Sequence, residues 1–215
     1  MHGVDDYFYN DTITSKVTHI GGVAQYTAEK FNIPYVAISG DIMSKSSHSS
    51  ASAVLAEYDE INKLLSPIDR DKLIYCKGNH DGAYFTAGGV SYLKNVGGKA
   101  IFKVIYRRQT LERNRVFGSD GSYFYTDDTV SKVRFIMLNC HTDGDGSVDT
   151  NGYAIYNSMK NCVYGTEQLS WLAHTALDVP DGWNVVLMAH QPFADTKDAD
   201  VLNGILKAYN NKTSY

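Results

Sequence analysis

Three short segments of the chain end in residues of types that can ligate divalent cations. Tyr35–Ser39 runs into Gly40-Asp41, Leu73–Cys76 into Gly78-Asn79-His80-Asp81, and Asn184–Ala189 into His190-Gln191-Pro192. A carboxylate offers two oxygens, an amide one carbonyl oxygen and an imidazole one nitrogen, a mixed set that suits manganese, iron or zinc. Each glycine lets the backbone turn sharply just before the ligand, where a side chain would hinder it. A Gly-Asp pair after a strand is by itself a common turn, and a single histidine after a strand is commonly a satisfied polar residue. Gly-Asn-His-Asp is more specific, since it fixes four residues in a row at a strand end.

These residues need elements that carry them to one place. Tyr35–Ser39, after Pro34 and before Gly40, is a short apolar run with the pattern of a buried strand, and Leu73–Cys76 is a second. Asn184–Ala189 is a third, after the Pro180-Asp181-Gly182 turn. Ser122–Thr126 and Val133–Leu138 read as two paired strands with a turn region at Asp127-Asp128. Helical patterns lie between: Thr14–Phe31, interrupted by Gly21 and Gly22; Ser52–Leu65, with Val54, Tyr58, Ile61 and Leu65 on one face; Thr166–Leu177, opened by a Thr cap; and Val201–Tyr209. The alternation predicts an α/β fold. In open α/β sheets, ligands sit on the loops after the carboxyl ends of strands. Asp41, Asn79, His80 and His190 are therefore expected to converge.

Composition bounds the rest. The chain has 215 residues, 43% hydrophobic and 20% charged, which fits one folded domain with a sizeable core. It holds no apolar run of the roughly 18 residues that a membrane span requires. No basic-then-apolar signal opens the sequence, so the cytoplasm is the default expectation. A net charge of −4 argues against a broad nucleic-acid surface. Cys76, Cys140 and Cys162 are sparse and lack a C-x-x-C, which argues against both a disulfide framework and a cysteine-based zinc site.

With Gly40-Asp41, Gly78-Asn79-His80-Asp81 and the strand NVVLMA before His190 in this order, the sequence resembles the calcineurin-like metallophosphoesterases over roughly Phe31 to Pro192. The stretches VRFIMLN and EQLSWLAHTAL strengthen the likeness. The family also has a D-x-H near its start and a G-H-x-H near its end, and both are absent here. The expectation is a single domain, 1–215, that is a fragment cut at both ends. Met1-His2-Gly3 can alternatively be read as the tail of the first motif, with His2 as its remnant.

The resemblance implies two packed mixed β-sheets flanked by helices, an αββα sandwich here lacking its first and last strands. It implies two divalent metal ions (manganese, iron or zinc), bridged by Asp41, with Asn79 and His190 as further metal ligands to one of them. A hydroxide between the ions would attack phosphorus. His80 would be the catalytic acid, and Asp81 would hold its ring and keep it protonated. The implied activity is hydrolysis of a small phosphate-ester substrate, weak in a fragment that lacks half its ligands. A nucleic-acid phosphodiesterase of the same fold is less favoured, and a non-catalytic phage or surface binding module is the other alternative. No membrane partner is expected, and nothing in the sequence fixes an oligomeric state.

Other features read as surface. Asp143, Asp145, Ser147 and Asp149 begin like a calcium loop, but the pattern fails at Val148 and Ala154. Lys103, Arg107, Arg108, Arg113 and Arg115 form a basic cluster expected to be a solvated face. His141, just past VRFIMLN, is expected to be a plain loop histidine, and His19, His48 and His174 surface residues.

Overall fold

A computed structural model describes residues 22–42, 47–48, 50–81, 84–85, 94–95, 115–141 and 162–213. Within them the fold is mixed α/β. Helix α1 spans residues 22–30, the part of the expected Thr14–Phe31 helix that begins at the second of its two glycines. Strand β1 (Val36–Ile38) pairs in parallel with β3 (Leu73–Tyr75). Three two-residue strands, β2 (Ser47–His48), β4 (Tyr84–Phe85) and β5 (Lys94–Asn95), make a second small sheet in the order β2-β4-β5. The third sheet has four strands: β6 (Val116–Phe117), β7 (Phe124–Asp128), β8 (Val133–Met137) and β9 (Asn184–Met188). It is antiparallel from β6 to β8, and β9 then adds in parallel to β8.

Helix α2 (Ala51–Leu64) starts where the Ser50 hydroxyl accepts the Ala53 N–H at 3.2 Å, an N-cap that satisfies one orphan donor of the first turn. Its apolar positions recur at helical spacing, so Val54, Tyr58, Ile61 and Leu65 are all buried. They meet Leu73, Ile74 and Tyr75 of β3, with Phe124 of β7 and Met137 of β8, in one core cluster. Alternation along β8 sends Ile136 to the opposite face, where a second cluster joins it to Leu138, Leu169, Leu172, Ala176 and Leu202. Full burial of one such side chain contributes about 1.5–3 kcal/mol.

Several elements differ from expectation. The turn between β7 and β8 lies after Asp128, at residues 129–132, with Lys132 at φ 54°. Asp127 stays in the strand because it faces Arg134 across the ladder and receives Nε and Nη2 at 2.7 and 2.8 Å. The helix expected to open on a Thr cap begins one residue earlier, as α3 (Gly165–Trp171). Its first N–H groups are satisfied from a distance: the Asp198 carboxylate accepts Tyr164 N–H and Gly165 N–H, both at 2.9 Å. It continues as a π-helical turn, Leu172–Ala176. The last helix, α4 (Ala199–Thr213), extends beyond the periodic stretch at both ends. Strand β1 is only partly buried, since β3 is its one partner among the described residues.

Arg115 overturns its expected place on a solvated basic face. It is buried, and Nη2 donates to the carbonyls of Arg70, Asp71 and Leu73 at 2.9, 3.2 and 2.8 Å. Lys103 to Arg113, the acidic stretch 143–149, His2 and His19 lie outside the described residues. His174 is exposed on its helix, as expected. No helix among the described residues is long and apolar enough to cross a membrane.

Candidate metal centre

The carboxyl ends of β1, β3 and β9 meet, although β9 belongs to a different sheet from the other two. His190 Nε2 stands 3.0 Å from Asn79 Oδ1 and 3.3 Å from Asp41 Oδ2. Its other nitrogen, Nδ1, lies 2.7 Å from the Ser39 carbonyl oxygen. A carbonyl can only accept, so the proton sits on Nδ1 and Nε2 is left to face the two oxygens. This is the usual arrangement for an imidazole that ligates a metal through one nitrogen and is oriented through the other.

The approach of the loops is set by backbone conformation. Gly40 has φ 99° and Asp41 has φ 53°, both in the left-handed region. A Cβ on Gly40 would lie 2.7 Å from Gly78 N and 2.7 Å from His190 Nδ1. A Cβ on Gly78 would overlap the Asp41 backbone nitrogen and Oδ1. Both positions therefore need glycine for close approach rather than for turn geometry alone. The His80 N–H donates to Asp41 Oδ1 at 3.0 Å, which holds the carboxylate toward the centre.

Asp81 has a role that the sequence reading did not foresee. It is fully buried, and its Oδ2 accepts Gly78 N–H at 2.7 Å, Asp41 N–H at 2.9 Å and the Tyr75 hydroxyl at 2.5 Å. The Tyr58 hydroxyl donates to its carbonyl at 2.5 Å. One carboxylate oxygen thus ties the loop after β1 to the loop after β3.

The charges of the centre are coupled. Burial opposes ionisation of Asp41, but hydrogen bonds from His190 and from the His80 backbone, with the nearby imidazole charges, hold its carboxyl below the ordinary value. The bond to Asp41 pushes His190 up to about 9 against the opposing effect of burial, and the Ser39 carbonyl adds to the rise. Without a cation, then, a protonated Nε2 holds the triangle together. The same separations suit an ion, since cis ligands with bonds of about 2.1 Å stand about 3.0 Å apart. The donor set of carboxylate, amide oxygen and imidazole fits a hard or borderline divalent cation.

His141 was expected to be a plain loop residue but is buried, and its ring centroid is 5.7 Å from that of His190. Beside it, Cys140 and Cys162 share a hydrogen bond, so the two thiols titrate as a pair. That bond, with the neighbouring imidazole, pulls Cys140 down to about 5 despite burial; the same bond and burial push Cys162 up. These cysteines are 22 positions apart and form no sequence motif. The parallel bridge between His141 and Val163 sets them side by side.

No family model matches the chain, and no curated protein or solved structure matches it either.

Proposed function

We propose that the chain is the core of a metal-dependent phosphoesterase similar to the calcineurin-like family. The observation that carries this reading is the meeting of Asp41, Asn79 and His190 from three strand ends on two sheets. The layering supports it. One core cluster joins α2, β1 and β3 to one face of the four-stranded sheet, and the other joins α3 and α4 to its opposite face. That order suits the family's αββα sandwich.

Asn79 and His190 would hold one divalent ion, and Asp41 would hold that ion and a second. Bound manganese, iron or zinc supplies a water of lowered pKa and neutralises charge on a phosphoryl group. The chain's own residues do the rest. Ser39 fixes the His190 tautomer, Asp81 locks the two glycine loops, and the His80 N–H aims Asp41. His80 would protonate the departing oxygen of a small phosphate ester. The nucleic-acid alternative loses Arg115, whose guanidinium is occupied by three backbone carbonyls.

The test is hydrolysis of a generic aryl phosphate with and without manganese. Manganese should stimulate turnover, and chelation should abolish it. Undiminished hydrolysis after exhaustive chelation would sink the reading.

A further inference from the structure

Cys140, His141 and Cys162 gather two thiols and an imidazole in the interior, next to the Asp41–Asn79–His190 triangle but sharing no residue with it. One ligand atom from each lies within 4.8 Å of the others. Cys140 and His141 are 0% and 1% exposed, and Cys162 is half-buried. The Val163 N–H donates to the Cys140 carbonyl at 2.8 Å beside the His141–Val163 bridge, which sets Cys140 and Cys162 side by side.

The backbone under these residues is fixed from several directions. Asn139 Oδ1 accepts the His141 N–H at 2.9 Å, and buried Gln168 accepts the Asn139 N–H at 2.8 Å. Buried Lys77, at the end of β3, donates through Nζ to the His141 carbonyl at 2.7 Å. The Lys197 N–H donates to the Cys162 carbonyl at 2.9 Å. Ligands held in this way lose little freedom on binding an ion.

Another buried polar group lies in the same core cluster. The Tyr164 hydroxyl is buried, with the residue 1% exposed, and has no hydrogen-bond partner among the described residues. It belongs to the same core cluster as Cys140 and Cys162. An orphaned buried hydroxyl is destabilising.

We propose that Cys140, His141 and Cys162 bind one zinc ion. Thiolate and imidazole are the ligands zinc prefers, whereas the neighbouring triangle is rich in oxygen. On one tetrahedral zinc, two sulfurs with bonds of about 2.3 Å stand about 3.8 Å apart, within the observed spread. As the two Zn–S bonds form, each thiol gives its proton to solvent. Three protein ligands leave a fourth position for water or an exogenous donor. This site does not depend on the phosphoesterase reading.

The experiment uses the reduced, chelator-stripped chain and cobalt as the probe. Cobalt should raise a sulfur-to-metal charge-transfer absorption that saturates at one equivalent and is displaced by zinc. Cys162→Ser should abolish that band, and Asp41→Ala should leave it, because the triangle contains no sulfur. Should Cys162→Ser not fold, the unaltered protein still decides the matter: zinc should shield both Cys140 and Cys162 from alkylation, read by mass spectrometry. A missing band in the unaltered protein overturns the proposal. So does a band that survives Cys162→Ser, or a Cys140–Cys162 disulfide whose reduction restores no zinc uptake.

Discussion

His190 Nε2 stands 3.0 Å from Asn79 Oδ1 across a separation of 111 positions, and Asp41 Oδ2 lies 3.3 Å from the same nitrogen. Two oxygens facing one ring nitrogen need a cation between them, and a proton or a metal ion can serve. The two compete. With His190 held near 9, a metal must displace a proton at neutral pH. Manganese affinity should rise about tenfold per pH unit between pH 7 and 9 and then level off. Calorimetry in buffers of different ionisation enthalpy should count one proton released per ion bound at pH 7.5. Affinity that is flat across this range would show that Nε2 is not a ligand.

The same pair predicts how the chelated protein responds to pH. His190 is raised, so its contribution is fully present below its ordinary 6.5 and is lost as pH rises through about 9. Asp41 is lowered, so its contribution is present above 3.8 and is lost as pH falls through its folded value. The chelated protein should therefore lose thermal stability between pH 6.5 and 9. His190→Gln should remove that slope without abolishing folding.

Gly78→Ala should be among the more damaging single-methyl changes among the described glycines. The added carbon would overlap the Asp41 carboxylate and also its backbone nitrogen, which cannot swing away as a side chain can. Manganese binding should be lost, and the melting temperature should fall even in chelated protein. A Gly165→Ala control has open space around its Cβ but keeps a positive φ, so it should destabilise only modestly and leave metal binding intact.

Which parts were legible in the sequence follows from how local their causes are. The buried face of α2 and strand β3 were legible because apolar patterning records burial directly, whereas β1 and β9 showed as apolar runs although they are only partly buried. The convergence of those residues followed from a topological rule about strand ends. What was missed depends on distant partners. The start of α3 is capped by Asp198, more than thirty positions away, so the local Thr166 signal misled. Arg115 looked like part of a basic cluster because its carbonyl partners are 42 to 45 positions away. Cys140 and Cys162 meet through one parallel bridge that no spacing rule reveals. Asp81 was assigned only to its neighbour His80, but one of its oxygens also ties the two glycine loops together.

The three bonds accepted by Asp81 Oδ2 give a separable prediction. Asp81→Asn keeps the shape but replaces a charged acceptor with a neutral one at three donors. Stability should fall by about 1–3 kcal/mol, read by denaturant unfolding. The leaving-group dependence of any aryl phosphate hydrolysis should not change. A selective loss with poor leaving groups would restore the expected role of holding the His80 ring.

His80 and Asp41 should fail in different ways when each is replaced. Asp41→Ala removes the carboxylate that faces His190 and receives the His80 N–H, so bound manganese and turnover should fall together. His80→Ala keeps that backbone donor, because the bond to Asp41 Oδ1 comes from the main chain. The triangle of Asp41, Asn79 and His190 should therefore still bind manganese with nearly unchanged affinity. Turnover should drop by about 10²–10⁴-fold if the imidazole protonates the leaving oxygen. The drop should shrink as the leaving group becomes more acidic, since such an oxygen departs without a proton. If His80→Ala instead empties the site of manganese, the imidazole is a ligand and the acid must be sought elsewhere. If it changes neither metal content nor the rate with a poor leaving group, the Gly78–Asp81 turn is a structural clasp, and its histidine serves the reaction only through its backbone.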